Sequence, residues 1–287
     1  PKSGAILAMA GSPTFDLEDP STIYDSKLQA KLDAELADIE SKKSTYESEE
    51  AYEAAVAAAY SSARGTQWRN RCISDTYEPG STFKPLTAVA ALESGVTTTA
   101  ERIFDSGKWV YPGYSASYTY CWNRAGHGSL NVSGAITNSC NYFFAEMGYR
   151  LGMDRLNSYF SAFGLGEHTG IEIGDAAGTL PSQEAGTNLA PWAAYGQANQ
   201  LYTPLQLANY IATLAGGGER YETHLLKDVR RYDSADLIAV YNEPPVETLS
   251  IDGKNLTAVL SGMRALVTSG SISGYFKRCI VDAAAKT

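Results

Sequence analysis

Strand-like and helix-like stretches are segregated along this chain, and no other feature limits its fold so much. Residues 3–10 form a short apolar run closed by Gly11-Ser12-Pro13, the pattern of a buried strand. Runs at 223–232, 237–241 and 278–285 read as strands near the other end. Helical patterns lie between, at 81–93, 132–151 and 154–163, and loop with short strand at 171–183. Thr203-Pro204-Leu205-Gln206 opens a further helix that runs to the glycines at 216 to 218. Thr203 can cap, Pro204 suits the first helical position, and Gln206 sits where a capping box wants an amide. Asp252 can cap a last helix carrying Leu256, Val259, Leu260, Met263, Leu266 and Val267. The pattern predicts an α+β fold: an antiparallel sheet built from both chain ends, packed with helices, plus a helical lobe. With 287 residues the chain can bury a substantial core, as one large domain or a domain of two lobes.

One segment breaks the pattern. In 25–63, Leu28, Leu32, Leu36 and Ile39 share one helical face among Asp, Glu and Lys, and a second helical run follows at 48–59. This reads as an inserted helical hairpin, either a solvated spacer or a surface for a partner. A large part of the acidity behind the net charge of −9 sits here. The densest basic clusters are the pairs Lys42-Lys43 and Arg230-Arg231, too little for a phosphate-binding surface, so nucleic acid is not an expected partner. The longest apolar stretches, such as 5–10, are too short to cross a bilayer, and no leader is visible. Any membrane anchor is expected outside this chain. Cys72, Cys121, Cys140 and Cys279 lack Cys-x-x-Cys spacing, and His127, His168 and His224 lack metal-like spacing. No metal or organic cofactor is predicted, and the histidines are expected to be structural or exposed.

The chemistry-bearing residues start at Ser81-Thr82-Phe83-Lys84, between Gly80 and Pro85. Pro85 fits only within a helix's first turn, and Ser81 and Lys84, three apart there, face the same side. The positive helix end favours a developing alkoxide on Ser81. Lys84 can serve as base only if its pKa falls from near 10.4 to near 7, at a cost of roughly 4 kcal/mol. It should therefore be buried near another cation. Ser-x-x-Lys turns up on the order of once by chance in a chain this long, so alone it reads first as a capped helix start with an exposed lysine. Ser139-Cys140-Asn141 can supply a second hydroxyl and an amide, and Lys286-Thr287 a second cation and another hydroxyl. The three elements follow the order known in penicillin-binding proteins and β-lactamases.

Residues 77–85 resemble the nucleophile segment of class B penicillin-binding proteins, and Ser139-Cys140-Asn141-Tyr142-Phe143-Phe144 resembles their second motif. Gly196-Gln197 with Thr203-Pro204-Leu205-Gln206-Leu207-Ala208 is similar to their helix-opening signature. Gly164-Leu165-Gly166 with Thr169-Gly170-Ile171 also matches. The resemblance covers nearly the whole chain except the hairpin, and looks nearest to elongation-type, monofunctional transpeptidases. It implies a serine β-lactamase/transpeptidase-like fold and one transpeptidase domain over 1–287. Ser81 would be the acylated nucleophile, Lys84 its base, and Ser139 a proton relay. Asn141 would hold Lys84 and the substrate amide, Lys286 would supply positive potential, and Thr287 would bind the substrate carboxylate. Cys140 joins Thr287 and Ser81 as a substrate-contacting position, its thiol expected to turn away as a small buried group. Implied partners are stem peptides ending in D-Ala-D-Ala, β-lactam antibiotics and a glycan-polymerising membrane protein. The implied location is the extracytoplasmic face of a bacterial cell membrane.

Some features compete or depart. Ser129-Leu130-Asn131 also fits the second motif, and Lys2-Ser3-Gly4 mimics the third at the wrong end of the chain. The family's third motif continues with Gly, whereas this sequence stops at Thr287. The residues beyond carry half of the family's oxyanion hole, and one such donor is worth about 2.7–4 kcal/mol. The domain is therefore expected to be incomplete at its C-terminus and part of a longer protein. A D,D-carboxypeptidase, a β-lactamase and a non-catalytic binding or sensor module on the same fold stay open as alternatives.

Overall fold

The computed structural model describes residues 3–182 and 188–287. Lys2 of the Lys2-Ser3-Gly4 triplet and Gln183 of the 171–183 segment lie outside the described residues. The chain divides into a unit of residues 8–74 and a unit made from the first seven residues with 75–287.

In the smaller unit, α1 (Ser26–Ser41) and α2 (Glu49–Trp68) flank a short 3₁₀ turn, Lys43–Thr45. The Asp25 carboxylate accepts from the Leu28 N–H at 2.8 Å, and the Ser48 hydroxyl from the Ala51 N–H at 3.2 Å, so each helix starts at a side-chain cap. Leu32, Ala59 and Ala63 form the buried seam, with Leu28, Leu36 and Ile39 packed around it. The second helix extends past the run at 48–59 and passes through Gly65. A helical Gly costs about 1 kcal/mol relative to Ala. Anchors at the far end of the helix offset this: buried Gln67 bonds the Tyr24 N–H (2.8 Å) and the Thr22 carbonyl (2.7 Å), and the Trp68 indole bonds the Pro20 carbonyl (2.7 Å). A one-turn α3 (Arg71–Ser74) follows.

The larger unit is organised around α4 (Lys84–Glu93), in which every residue from Lys84 to Leu92 is buried. Two antiparallel pairs come next: β1 (Ile103–Asp105) with β4 (Gly128–Leu130), and β2 (Lys108–Val110) with β3 (Tyr118–Tyr120). Then α5 (Val132–Thr137) and α6 (Asn141–Ala162) appear where the periodicity predicts a helix over 132–151 and another over 154–163. The expected junction is present at Gly152, whose φ of 73° and ψ of 166° are not helical, and an additional break falls at Ser139, whose φ is 50°. After α7 (Ala190–Ala193), the helix α8 (Pro204–Ala215) starts with the full Thr203/Gln206 capping box.

The remaining strands pair as β5 (Glu219–Arg220) with β8 (Glu247–Thr248) and β6 (Asp228–Arg230) with β7 (Leu237–Val240). Asp252 caps α9 (Gly253–Thr268), and α10 (Ser273–Phe276) closes the helices. Phe83, Tyr202, Tyr210 and Phe160 interlock beneath the start of α4, with Phe83 and Tyr202 stacked at 5.5 Å. Where α9 crosses α5, a Cβ on Gly262 would lie 2.7 Å from the Ser133 carbonyl oxygen, so only glycine permits the approach. Ser133 and Thr137 hydroxyls then bond the Ala258 and Gly262 carbonyls of α9, at 2.7 and 3.0 Å.

Two predicted strands do not form as such. Within 3–10, Ala5 makes a single parallel bridge with His224. Residues 278–285 form no ladder. No strand accompanies them among the described residues, and nothing covers Ile280, which is 99% exposed. That segment is tied instead to α9, through the Ala285 N–H to the Met263 carbonyl at 3.2 Å. Among the described residues no helix is long and apolar enough to cross a membrane.

Candidate active site

Ser81 sits in a 3₁₀ turn (Gly80–Phe83) that leads into α4. The turn is clamped on both sides. Tyr77 and Tyr202 exchange backbone hydrogen bonds at 2.9 and 3.0 Å, and the Gly80 N–H bonds the Gly196 carbonyl at 3.0 Å. Gly80 has φ 54°, and a side chain on Gly196 would drive a Cβ to 2.1 Å from the Gly80 carbonyl oxygen. Both glycines are therefore required for the contact that presents Ser81. The Thr82 hydroxyl donates to the Pro79 carbonyl at 2.6 Å, and the buried Tyr210 hydroxyl donates to the Thr82 carbonyl.

The Lys84 side chain is 0% exposed and its Nζ meets four oxygens: Ser81 Oγ at 2.9 Å, Ser139 O at 2.7 Å, Ser139 Oγ at 3.1 Å and Asn141 Oδ1 at 2.6 Å. Two of these, the Ser139 carbonyl and the Asn141 amide oxygen, can only accept. A neutral amine has two N–H groups for them and one lone pair, which then faces the two hydroxyls. Burial, reinforced by the charge of Lys286, lowers the Lys84 pKa to about 7, so that neutral form is accessible near neutral pH. Lys286 donates to Ser139 Oγ at 2.9 Å, and burial lowers its own pKa to about 8. Ser81, Lys84, Ser139 and Lys286 therefore form one continuous hydrogen-bonded chain.

The break between α5 and α6 is what makes this possible. The left-handed backbone at Ser139 turns both its carbonyl and its hydroxyl onto Lys84, which a continuous helix would not do. A groove of about 470 Å³ opens above, lined by Ser81, Ser139, Asn141 and Thr287 together with Trp122, Thr137, Asn138 and Ser271. The structure thus brings together Ser81, Lys84, Ser139, Asn141, Lys286 and Thr287. The Cys140 thiol turns away as a small buried group, as expected, 0% exposed and accepting the Phe143 N–H at 3.3 Å as the cap of α6; the substrate-contacting position is thereby corrected, since no side chain is offered to a substrate there. Sequence reasoning missed Trp122, which is 62% exposed and bonds the Asn138 carbonyl at 2.9 Å. A tryptophan in a Tyr- and Gly-rich loop was the only available signal.

Ser129-Leu130-Asn131 is occupied structurally. Arg102 holds Ser129, and the Asn131 side chain caps α5 by accepting the Gly134 N–H at 3.0 Å. His224 bonds two carbonyls, those of Leu226 and Ser3, and exposed His168 bonds Asp175. His127 differs. Its Nδ1 lies 2.7 Å from Asp105 Oδ2, and Asp105, Cys121, His127 and Cys140 place one ligand atom each within 4.8 Å of one another. Cys121 and Cys140 Sγ are 4.0 Å apart. Two sulfurs, an imidazole and a carboxylate, all largely buried, are a donor set suited to a tetrahedral, zinc-class ion. Packing gathers these four residues although they lack metal-like spacing in the sequence, and they also partner one another, Cys140 Sγ donating to Asp105 Oδ2 at 3.2 Å. The four residues come from β1, from the two ends of the 121–127 loop, and from the cap of α6, so no local motif announces them. Cys140 belongs to this cluster while Ser139 and Asn141 face the groove.

Residues 1–287 match the family described as the penicillin binding protein transpeptidase domain. Peptidoglycan D,D-transpeptidase MrdA of Escherichia coli K12 is 29% identical over 256 residues, which cover 86% of this chain and 36% of that protein. The chain thus spans about a third of that relative's length. Pseudomonas aeruginosa PBP2, solved in complex with WCK 5153, superposes with a TM-score of 0.62 at 30% identity, covering 74% of this chain and 50% of that one. Penicillin-binding protein A of M. tuberculosis, solved as a ceftriaxone acyl-enzyme complex, gives a TM-score of 0.74 at 25% identity over 100% of this chain and 58% of that one. The α+β, serine β-lactamase/transpeptidase-like fold expected from the sequence is the fold of these neighbours. A match over its full length makes this chain a member of the penicillin-binding protein transpeptidase family, in its class B, MrdA-like branch.

Proposed function

We propose that this chain is the catalytic domain of a peptidoglycan D,D-transpeptidase that works through an acyl-serine intermediate on Ser81. The observation that carries the reading is the neutral-capable Lys84 amine, 2.9 Å from Ser81 Oγ and bonded to Ser139 and Asn141. Ser81 Oγ attacks the penultimate D-alanine carbonyl of a stem peptide as Lys84 takes its proton. Ser139 passes a proton to the departing D-alanine amine, so the C–N bond breaks as the ester forms. An amine of a neighbouring stem then attacks the ester, forming the cross-link and returning the proton to Ser81. Lys286 and Thr287 would face the terminal carboxylate of the donor, and Asn141 its amide. β-Lactams would acylate Ser81 in the same way. For the whole protein we infer an elongation-type, cell-shape role on the extracytoplasmic face of a bacterial membrane, beside a glycan-polymerising partner. The relative's printed activity and the family match support both.

Intact-mass spectrometry after incubation with a penicillin tests the reading. The expected result is an adduct of one drug mass that persists and is absent in Ser81→Ala. Unmodified protein with consumed drug would replace the reading with that of a β-lactamase. A stem-peptide substrate that is only hydrolysed, even with acceptor amine present, would make it a carboxypeptidase.

A further inference from the structure

A second groove, of about 520 Å³, has a lining distinct from that of the Ser81 groove. Its lining includes Tyr111, Tyr114, Ser117, Asn188, Trp192 and Gln197. Gln197 links the two: its Nε2 donates to Glu78 at 3.2 Å, and it directly follows Gly196, whose carbonyl holds the Gly80 N–H. The size is that of small-molecule sites, roughly 300–1,000 Å³.

The aromatic wall is held in place from behind. Trp109 is 2% exposed, donates its indole N–H to Glu146 at 2.9 Å, and packs edge-on against Tyr111 (5.8 Å) and Trp192 (6.4 Å). Tyr114 meets Tyr111 at 5.6 Å and is 68% exposed, so its ring is available to a ligand. The amide of Asn188 donates to the Tyr111 hydroxyl at 2.5 Å, which fixes that hydroxyl while leaving its proton to donate. Rings set by a buried indole lose little freedom when a ligand stacks on them.

None of the described lining residues carries a charge. That argues against the stem peptide as occupant, because its carboxylates and amine would be desolvated without a partner. The glycan strand has the complementary chemistry. It is uncharged where its lactyl groups are amide-linked to peptide. Its sugar rings present apolar C–H faces to aromatic rings, and its hydroxyls and acetamides suit amide and phenol partners.

We propose that this groove seats N-acetylhexosamine units of the glycan strand that carries the stem peptide being cross-linked. The assignment rests on the transpeptidase reading for its biological sense but is tested apart from it. The probe is the neutral tetramer of N-acetylglucosamine, titrated into this chain by calorimetry. Wild type should bind it, Tyr114→Ala should bind about five-fold or more weakly, and Trp192→Ala should weaken it further. Tyr232→Ala, an exposed aromatic on the β6–β7 turn, should bind as wild type does. Absence of binding to wild type, or equal affinity in Tyr114→Ala and Trp192→Ala, would overturn the proposal. So would a sugar-free stem pentapeptide that competes the tetramer away. Penicillin acylation of the same wild-type sample reports on the function separately. Sugar binding without acylation, found also in the protein extended past Thr287, would strike the transpeptidase reading and still support a carbohydrate groove.

Discussion

The helix pair of the 8–74 unit and the helix α4 bury themselves on different terms. In α1 and α2 one seam is closed, by Leu32, Ala59 and Ala63, and the remaining faces meet solvent with exposed pairs such as Lys42–Asp38 and Lys43–Glu49. Such pairs contribute little to stability. In α4 every residue from Lys84 to Leu92 is buried, and a lysine side chain is among them. A helix with one buried stripe is specified by its own periodicity, whereas one buried all round is specified by its neighbours. The second kind of helix can hold an amine away from water, and that is what gives Lys84 its chemistry.

The sharpest way to break this contrast is Lys84→Ala. Penicillin acylation, followed by stopped-flow, should slow by about 10²–10⁴, the usual share of a general base. A rate within ten-fold of wild type would remove Lys84 from that role. On the other side, Leu32→Ala should cost the helix pair about 2–5 kcal/mol. Hydrogen exchange of the α1 and α2 amides measures it, and unchanged protection would mean that the seam does not hold the pair.

A pH series sharpens the comparison further. Lys84, with its pKa lowered to about 7, is charged below that value and cannot accept the Ser81 proton. Acylation should therefore rise with pH through about 7, roughly ten-fold per pH unit on the acid side. It should fall again as Lys286 loses its charge above about 8. The two apparent values belong to the interacting pair. Because the Lys286 charge helps to lower Lys84, Lys286→Ala should move the rising limb to higher pH, and an unmoved limb would disconnect the two. The smallest effect is expected from Asp25→Ala. Loss of the α1 cap should cost about 1 kcal/mol, seen as faster exchange of the Leu28 amide, which the Asp25 carboxylate accepts at 2.8 Å.

What could be read without a structure depended on short-range physics. The caps at Asp25, Thr203 with Gln206, and Asp252 are legible because cap and recipient N–H lie two or three residues apart. Ser81 and Lys84 are legible for the same reason: one turn places three-residue neighbours on one side. The helix expected across 132–151 shows the limit. Nothing local in Asn138-Ser139-Cys140 forces a left-handed residue, and the break is stabilised by contacts with Lys84 and Lys286, 55 and 147 residues away in sequence. The run at 278–285 has strand composition but no ladder partner among the described residues, and a strand exists only through its partner.

The sequence by itself determined the motif order, the helix starts and the family, because these rest on residue identity and on spacings of a few residues. Only the tertiary structure decided that Lys84 is buried enough to be a base, since desolvation is set by everything packed around α4. The same is true of Asp105, Cys121, His127 and Cys140, scattered along the chain and joined only when β1, the 121–127 loop and the start of α6 are packed together.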